Sequence, residues 1–349
     1  MQDKSHYTRY NYKKLYELAV EMFIRYGFSR EDSEKVADVI LTSDRFGVES
    51  HGVNRLTLYP FGIDIGRIKV DAKPEVVEDR LSMAVIDAHD GMGQLIGHFA
   101  MELAIEKAKK SGVGIVSARN SNHFGIAGYY ANMACKEGLI GFSCTNSEAI
   151  MVPTFGRKAM IGSNPIACAM PAEPYNFFFD ASTTVVTRGK LEMYNKAEKP
   201  LPEGWALDKD GRPTTDPAAG RAGSLVPIGG AKGSGLAIMV DVLCGILSGG
   251  PYGPHLHDLY VMDEPQGVSH FLGAIDIAHF IEPAAFKSAL SAMSREIKAL
   301  KKADGVEEIF LPGERSGRKA EENAANGIEV PQPVYEELLE LGKPYGLSL

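Results

Sequence analysis

The sequence predicts an α/β protein in which helices pack in layers against a sheet. Three observations predict this fold class. Short apolar runs alternate with helical patterns between residues 83 and 145, two capped amphipathic helices open the chain, and the composition is that of an ordinary globular protein. With 349 residues, 44% hydrophobic and 23% charged, the chain is long enough for two lobes that share a cleft.

Two helices are predicted at the start of the chain. Apolar side chains recur at helical spacing over residues 12–27, and Gly27 is placed to end that helix. A second helix is predicted to begin at the capping residue Ser29, with acidic residues in its first turn, and to run to about Gly47. Residues 50–52 therefore fall at a helix end.

The middle and the end of the chain add further strands and helices. Strands are predicted at 83–87, 113–117, 140–145, 166–170, 177–180 and 271–277. Helices are predicted at 99–110, 129–136, 185–194 and 283–302, and after Pro331. The polar, proline-rich stretch that ends near Thr215 is predicted to be a surface flap. The apolar run 236–247 is shorter than the ~20 residues of a bilayer helix, so it is interpreted as a buried core helix.

Charge and cysteine content narrow the function classes. The net charge of −8, without a basic stripe, would repel a polyanion, so nucleic-acid binding is not expected. The polar N-terminal segment lacks the apolar core of a signal peptide, and no membrane association is expected. All four cysteines lie in apolar surroundings without close CxxC spacing, which favours buried reduced thiols and a cytoplasmic location.

The segment around His51 is the first candidate for chemistry. If the chain is locally helical, His51, Arg55 and Tyr59 share one face, because they are spaced by four residues. That face would join a titratable imidazole to a guanidinium that suits bidentate carboxylate binding. The alternative is that His51 caps a helix and Arg55 forms a surface ion pair.

His123 is a second acid–base candidate. It lies between a predicted strand and a predicted helix, where α/β folds place ligands and where a helix N-terminus exposes free N–H groups. A structural histidine bonded to a loop carbonyl is the alternative.

Two glycine-rich segments are candidate phosphate-binding loops. Residues 91–97 do not fit a Rossmann fingerprint, because the last glycine comes one residue too late. Residues 229–235 open an apolar helix, so their amides and Lys232 could hold a pyrophosphate, although the glycines could instead serve close helix packing. His255 and His257, with Asp258 and Asp263 nearby, do not complete a metal-ligand set, so no metal is expected.

Seven motifs in order resemble the second family of malate and L-lactate dehydrogenases, which includes ureidoglycolate, sulfolactate and diketogulonate dehydrogenases and some cyclic-imine reductases. They span nearly the whole chain, which makes them more specific together than singly. The motifs are DRFGVESHGVNRL (44–56), SNHFGIAGYY (121–130), GSNPIACAMP (162–171), FDASTTVVTRGK (179–190), LPEGWALDKDGRPTTDP (201–217), GGAKGSGLAIMVDVLCGILSG (229–249) and LPGE (311–314).

The resemblance implies a mixed-sheet NAD(P)-binding fold distinct from the Rossmann fold and a second helical or α+β lobe. It places residues 1–114 with 266–349 in a substrate and dimerisation lobe, and 115–265 in a cofactor lobe. The implied protein is a homodimer with NAD, or alternatively NADP, as cofactor. The implied activity is hydride transfer between the nicotinamide and a small 2-hydroxy or 2-oxo acid, malate/oxaloacetate or lactate/pyruvate above all.

The resemblance also implies roles for individual residues. His51 and His123 would lie at the reacting oxygen, and either could be the acid–base group. Arg55 would bind the substrate carboxylate, with Ser50 and Tyr59 lining the same pocket. Cofactor-binding positions would be His123, Asn146, Phe179, Asp180, Ala181, Ser182, Thr183, Thr184, Lys232, Gly233, Pro312, Gly313 and Glu314.

One departure from the family pattern affects the cofactor. Where relatives commonly read Asp-Met-Ala-Thr, this chain has Asp180-Ala181-Ser182-Thr183, which leaves the choice between NAD and NADP open.

Other substrates of the family, or a non-catalytic dinucleotide-binding protein, are the alternative functions.

Overall fold

The computed structural model describes residues 7–258 and 264–343. The strands are β1 Tyr7–Tyr10, β2 Glu75–Asp79, β3 Met83–Asp87, β4 Val113–Ser121, β5 Ile140–Thr145, β6 Ile166–Met170, β7 Phe177–Ala181, β8 Ala206–Leu207, β9 Pro213–Thr214, β10 Ser224–Leu225, β11 Val268–Ile275 and β12 Ile328–Pro331. The helices are α1 Tyr12–Arg25, α2 Arg30–Arg45, α3 Leu58–Asp64, α4 Gly93–Ser111, α5 Ala127–Lys136, α6 Arg188–Lys196, α7 Pro217–Ala222, α8 Ala231–Asp241, α9 Pro283–Lys298, α10 Glu314–Asn326 and α11 Gln332–Gly342.

A seven-stranded mixed sheet forms the centre, in the order β2-β3-β4-β11-β5-β6-β7. Only the β3–β4 pair is parallel, and β11 pairs antiparallel with both β4 and β5. A Rossmann sheet is mostly parallel and doubly wound. The predicted mixed-sheet α/β fold distinct from it is therefore confirmed.

Helices α4 and α5 pack against the sheet through a core made mostly of alanine and aliphatic side chains, together with Phe124, Tyr129 and Tyr130. Strand glycines allow the close approach. A Cβ on Gly114 would lie 1.9 Å from the Ala104 carbonyl oxygen, and one on Gly141 would lie 2.0 Å from that of Ala131. Any other residue at these two positions would push a helix away from the sheet.

The two ends of the chain build a second core together. Strands β1 and β12 pair antiparallel, with Tyr7 opposite Pro331, and side chains of α1, α2 and α11 pack beside them. Ser29 caps α2 as predicted, because its Oγ accepts a hydrogen bond from the Asp32 N–H at 3.1 Å.

The division of the chain into residues 1–114 with 266–349 and 115–265 stays a prediction. Its first boundary falls within β4, which pairs with β3 and β11, and β11 in turn pairs with β5. Any division into lobes has to keep this sheet whole.

Several helices and strands begin or end at residues other than those predicted. Helix α4 begins at Gly93 rather than near residue 99, β4 continues to Ser121, and α6 begins at Arg188 rather than near residue 185. The predicted flap contains β8 and β9, which form a small sheet with β10, and its side chains Leu201 and Ala206 are buried in a separate apolar cluster.

The prediction of a buried core helix over residues 236–247 is wrong. Helix α8 and the π-helical turn Val242–Ile246 bury Ala237, Val240 and Cys244 against neighbouring segments, but their other face is open. The exposed apolar side chains are Leu236, Ile238, Met239, Val242, Ile246 and Leu247. Among the described residues, no helix combines the length and the hydropathy needed to cross a membrane. All four cysteines are free and buried, as predicted.

Candidate active site

The segment that carries His51 and Arg55 is not one continuous helix, which corrects the prediction of a shared helical face. Two separate 3₁₀ turns, Glu49–His51 and Val53–Arg55, precede α3. The interruption is at Gly52, where a Cβ would lie 1.8 Å from the Asp44 Oδ1. Asp44 is buried and accepts a hydrogen bond from the Val53 N–H at 2.7 Å, so its carboxyl fixes the break between the turns.

The structure nevertheless brings the predicted side chains together. The imidazole rings of His51 and His123 stack with centroids 5.3 Å apart and planes inclined by 24°. The Tyr59 hydroxyl lies 2.8 Å from His123 Nδ1, across 64 residues of sequence. The Ser50 hydroxyl lies 2.8 Å from His51 Nδ1. We call Ser50, His51, Arg55, Tyr59 and His123 the histidine pocket.

Arg55 is held at one end only. Its Nε donates to the Ser50 carbonyl oxygen at 2.7 Å. Within the part of the chain that the structure describes, its terminal nitrogens donate to no protein group. A guanidinium fixed at Nε with both Nη atoms available is suited to two parallel hydrogen bonds with a carboxylate.

Burial dominates the protonation of the pocket. It lowers the pKa of His51 to about 3, with the positive charge of Arg55 adding to the effect. Burial likewise holds the pKa of His123 well below its usual range, with contributions from His51 and Arg55. Burial also raises the pKa of Tyr59. Both imidazoles and the phenol are therefore neutral at neutral pH, beside a permanent cation.

Apart from His123, the candidate cofactor residues lie on four segments. Asn146 follows β5, residues 179–184 run from β7 into the next loop, Lys232 and Gly233 open α8, and residues 312–314 precede α10. We call these the cofactor segments.

Three of the cofactor segments touch through the backbone. The Ile228 N–H donates to the Thr183 carbonyl oxygen and the Gly233 N–H donates to that of Ile228, each at 2.9 Å. The Phe178 N–H donates to the Pro312 carbonyl oxygen at 3.3 Å, and a Cβ on Gly313 would lie 2.4 Å from the Asn176 carbonyl oxygen. Edge strand β7 and the loop that follows it thus connect the start of α8 to the loop before α10.

At the start of α8, a lysine side chain is exposed, whereas several backbone amides are already hydrogen-bonded. The N–H groups of Lys232, Gly233 and Ser234 already donate to carbonyl oxygens, at 3.4, 2.9 and 3.1 Å. The Lys232 side chain is exposed beside Gly229 and Gly230, both with positive φ. The amides of Lys232, Gly233 and Ser234 are thus occupied, while the exposed Lys232 amine is available to an anion, and pyrophosphate binding by residues 229–235 stays a prediction.

Several cofactor-segment side chains are already occupied. Asn146 donates to the Pro251 carbonyl oxygen at 3.1 Å and accepts from the Ser269 N–H at 2.8 Å. The Asp180 carboxyl accepts from the Gly128 N–H at 2.7 Å. Glu314 is buried and accepts from Lys298 Nζ at 2.7 Å. The polar atoms of these three side chains are therefore bonded within the protein itself.

Sequence reasoning missed two residues that position the pocket. Gln266 Oε1 accepts a hydrogen bond from the His123 N–H at 2.8 Å, and Asp44 fixes the break in the chain directly after His51. Asp44 is the first residue of the motif over residues 44–56, and this position was the signal that could have identified it. Gln266 lies in a loop with no local signal.

The two candidate metal-ligand histidines do not form a site in the described residues. Within 7–258 and 264–343, no group of three or more His, Cys, Asp or Glu side chains could hold a metal ion. His257 Nδ1 lies 2.8 Å from the Pro265 carbonyl oxygen. Asp263 lies outside the described residues.

Comparisons with known proteins give a consistent result. The family model described as malate/L-lactate dehydrogenase matches residues 10–339. The chain is 42% identical to the malate dehydrogenase of Pyrococcus horikoshii over 350 residues, covering 98% of this chain and 97% of the relative. It is 38% identical to the L-sulfolactate dehydrogenase of Methanocaldococcus jannaschii (95% and 96% covered). It is 32% identical to the NAD(+) ureidoglycolate dehydrogenase of Escherichia coli K12 (93% of each).

Solved structures of the first two relatives superpose on the whole chain. The P. horikoshii malate dehydrogenase gives a TM-score of 0.90 at 40% identity, covering 99% of this chain and 97% of that one. The M. jannaschii sulfolactate dehydrogenase gives 0.91 at 36% identity, covering 98% of each chain.

Proposed function

The chain belongs to the malate/L-lactate dehydrogenase family, as its motifs predicted, and from this premise we propose that it interconverts malate and oxaloacetate, or lactate and pyruvate. The protein is an NAD(P)-dependent oxidoreductase that acts on hydroxy acids. The proposal rests on the stacked rings of His51 and His123 beside Arg55, whose guanidinium is held through Nε and keeps both Nη atoms available.

The pocket supplies the groups that such a reaction needs from the protein. Arg55 binds the substrate carboxylate through its Nη atoms and fixes the orientation of C2. The histidine pair holds or moves the proton at the C2 oxygen. The bound nicotinamide supplies or accepts the hydride. Both imidazoles are only partly exposed to solvent, so the hydrogen bonds that they would make to the substrate are stronger than in bulk water.

A nicotinamide dinucleotide fits the cofactor segments. Gly233 lies where a Cβ would meet the Ile228 carbonyl oxygen at 2.3 Å, so the chain can turn tightly there and still present the exposed Lys232 amine. Lys232 would pair with the pyrophosphate, and the backbone of residues 179–184 would line the cleft. We propose NAD as the cofactor, with NADP as the alternative.

Arg188 is a second cation near Glu148. Burial raises the pKa of Glu148, and Asp258 adds to the rise, while Arg188 and Arg55 act in the opposite direction. Arg188 already pairs with Asp258, with 3.2 Å between Nη1 and Oδ2. The second carboxylate of malate or oxaloacetate would have to compete with Asp258 for this cation, so the preference for these substrates over lactate and pyruvate rests on the malate dehydrogenase relatives.

The test is a substrate panel. The purified protein is mixed with NADH or NADPH, and absorbance is followed with oxaloacetate, pyruvate, sulfopyruvate, oxalurate and diketogulonate. We expect fastest oxidation with oxaloacetate and NADH. Faster turnover of oxalurate or diketogulonate would replace the substrate proposed. Turnover of cyclic imines alone would replace the reaction, and no turnover with any compound would indicate a dinucleotide-binding protein without activity.

We also propose that the protein is a homodimer. The support is the open apolar face of α8 and the π-helical turn, where Ile246 and Leu247 are 53% and 58% exposed. An apolar face of this kind is typical of an interface. Leu247→Lys should convert a dimer, measured by light scattering after gel filtration, into a monomer. A wild-type protein that is already monomeric would contradict the proposal.

A cytoplasmic location is proposed on the four free, buried thiols, which suit a reducing compartment. Cell fractionation with an antibody against the native protein is the direct test. Recovery outside the cytoplasmic fraction would contradict it.

A further inference from the structure

The two histidines of the pocket have different partners at Nδ1. His123 Nδ1 faces the Gly125 N–H at 3.3 Å and the Tyr59 hydroxyl at 2.8 Å. A backbone N–H can only donate, so His123 Nδ1 must accept and the ring proton must sit on Nε2. Among the described residues, His51 Nδ1 faces the Ser50 hydroxyl alone, at 2.8 Å, and a hydroxyl can either donate or accept.

From this difference we infer that the two histidines have different roles in catalysis. This inference rests on the proposed dehydrogenase function. Tyr59 and Gly125 hold His123 as a neutral imidazole with its proton on Nε2, so that it polarises the substrate oxygen as a hydrogen-bond donor. His51, whose Ser50 partner accommodates either protonation state, exchanges the proton with that oxygen. Tyr59 is thus a positioning residue that acts through His123.

The reaction balances with these roles. In reduction, the hydride bonds to C2, the C2–O π pair becomes the O–H bond pair, and the proton leaves His51 Nε2, which ends neutral. In oxidation, the neutral His51 Nε2 takes the hydroxyl proton as the hydride leaves C2. The hydrogen bond from His123 Nε2 to the oxygen shortens as negative charge develops there and is not broken.

Electrostatics agrees with these roles. Protonation of His123 would place a proton on Nδ1 against the Gly125 N–H, and burial, His51, Arg55 and His270 all lower the pKa of His123. Besides burial, Arg55 on its own segment lowers the pKa of His51, and neutral His123 faces it from the loop after β4. A substrate carboxylate on Arg55 offsets that cation, so the pKa of His51 should rise when the substrate binds.

The protonation states can be measured without turnover. In protein labelled with ¹⁵N at histidine, the chemical shift distinguishes a protonated ring nitrogen from an unprotonated one, and His51→Asn and His123→Asn assign the signals. We expect His123 to show a protonated Nε2 and a bare Nδ1 from pH 5 to pH 8. A protonated Nδ1 on His123 at neutral pH would overturn the inference, whatever the substrate panel shows.

Kinetics separates the two histidines. His123→Asn should lower kcat about a hundredfold at every pH and keep the pH dependence of kcat/KM, because the proton-exchanging group is still present. His51→Asn should lower kcat by a similar factor and abolish that dependence. The reverse pattern, or loss of the pH dependence in both variants, would refute the assignment.

Tyr59→Phe tests the positioning role. With only Gly125 left at 3.3 Å, the ring-nitrogen shifts of His123 should move toward a mixture of tautomers. We expect kcat to fall about tenfold, while KM for the oxo acid changes less than about twofold. Tyr129→Phe is the matched control, because that buried tyrosine donates to Asp38 at 2.6 Å instead. Unchanged shifts and unchanged kcat in Tyr59→Phe would refute the role of Tyr59.

Discussion

In the histidine pocket, side chains keep atoms free for a substrate, whereas in the cofactor segments most polar side chains are occupied by the protein itself. Arg55 uses only Nε, for the Ser50 carbonyl oxygen. By contrast, Asn146 and Glu314 are held by backbone and lysine partners. The pocket therefore depends on the identity of its side chains, and the cofactor segments depend on the path of their backbone. Substitutions should affect the two regions differently.

The largest expected effect is in the pocket, at Arg55. Arg55→Gln removes the cation that would bind the substrate carboxylate, and loss of a charge-assisted pair costs roughly 2–5 kcal/mol. We expect kcat/KM for the oxo acid to fall about a hundredfold or more. The Kd for NADH, measured by fluorescence titration, should stay within about twofold. Arg55→Lys should also be impaired, because an ammonium cannot make the bidentate contact.

The control for Arg55 is Arg30→Gln. Arg30 forms an exposed ion pair with Glu21 at 2.9 Å, and such pairs contribute little. If Arg55→Gln weakened NADH binding as much as oxo-acid turnover, the distinction between the two regions would fail.

The next largest effect should come from the backbone of the cofactor segments. A Cβ at Gly233 would lie 2.3 Å from the Ile228 carbonyl oxygen, so Gly233→Ala forces the turn before α8 to shift. We expect the Kd for the dinucleotide to rise about tenfold and the protein to lose roughly 1–3 kcal/mol of stability. Titration with NADH and urea unfolding measure both.

Gly235 supplies a matched control on the same helix. A Cβ there meets nothing within 4 Å, and alanine is the better helix former, so Gly235→Ala should bind NADH normally and unfold at the same or a higher urea concentration. Equal losses in the two variants would show that the effect does not come from the contact between a Cβ at Gly233 and the Ile228 carbonyl oxygen.

How much the sequence predicts also differs between the regions. The motifs around His51 and His123 predict a shared pocket, and the two rings do stack. The local path does not follow from the spacing, because Asp44 reaches across to Val53 and breaks the helix that four-residue periodicity suggests. A side chain that bonds nine positions away leaves no periodic signal.

The long-range arrangement of the strands could not be predicted from the sequence, for a related reason. Residues 271–277 are predicted to be a strand, but nothing local indicates that β11 inserts between β4 and β5. The exposed face of α8 is similar, since a uniformly apolar run looks the same whether a helix is buried on one side or on all sides. Gln266 reaches His123 only because β11 brings its loop there.

A smaller, pH-dependent effect is expected at Asp180. Burial raises the pKa of Asp180 from 3.8 to about 6, with the Gly128 N–H acting against the rise. The folded protein therefore binds this proton more tightly than the unfolded chain. The stability that this provides is present below pH 3.8 and is lost as the pH rises through about 6.

Asp180→Asn cannot ionise, so it should lack this dependence. We expect the free energy of unfolding of the wild type, relative to the variant, to fall between pH 4.5 and pH 7.5 in cofactor-free protein, measured by urea titration. A relative stability that rises with pH would mean that the carboxylate is better stabilised when ionised than its burial implies.

The smallest effect should come from Thr183, whose hydroxyl donates to the Ser163 carbonyl oxygen at 2.8 Å inside the protein. Thr183→Val removes that bond, but the Thr183 N–H still donates to the same oxygen at 2.9 Å, so the loss should be about 1 kcal/mol or less. NADH affinity should change less than about twofold, and Thr183→Ser, which keeps the hydroxyl, should behave like the wild type. A tenfold weaker Kd for Thr183→Val at unchanged stability would mean that this hydroxyl binds the dinucleotide directly, and that the cofactor segments, like the histidine pocket, work through side chains.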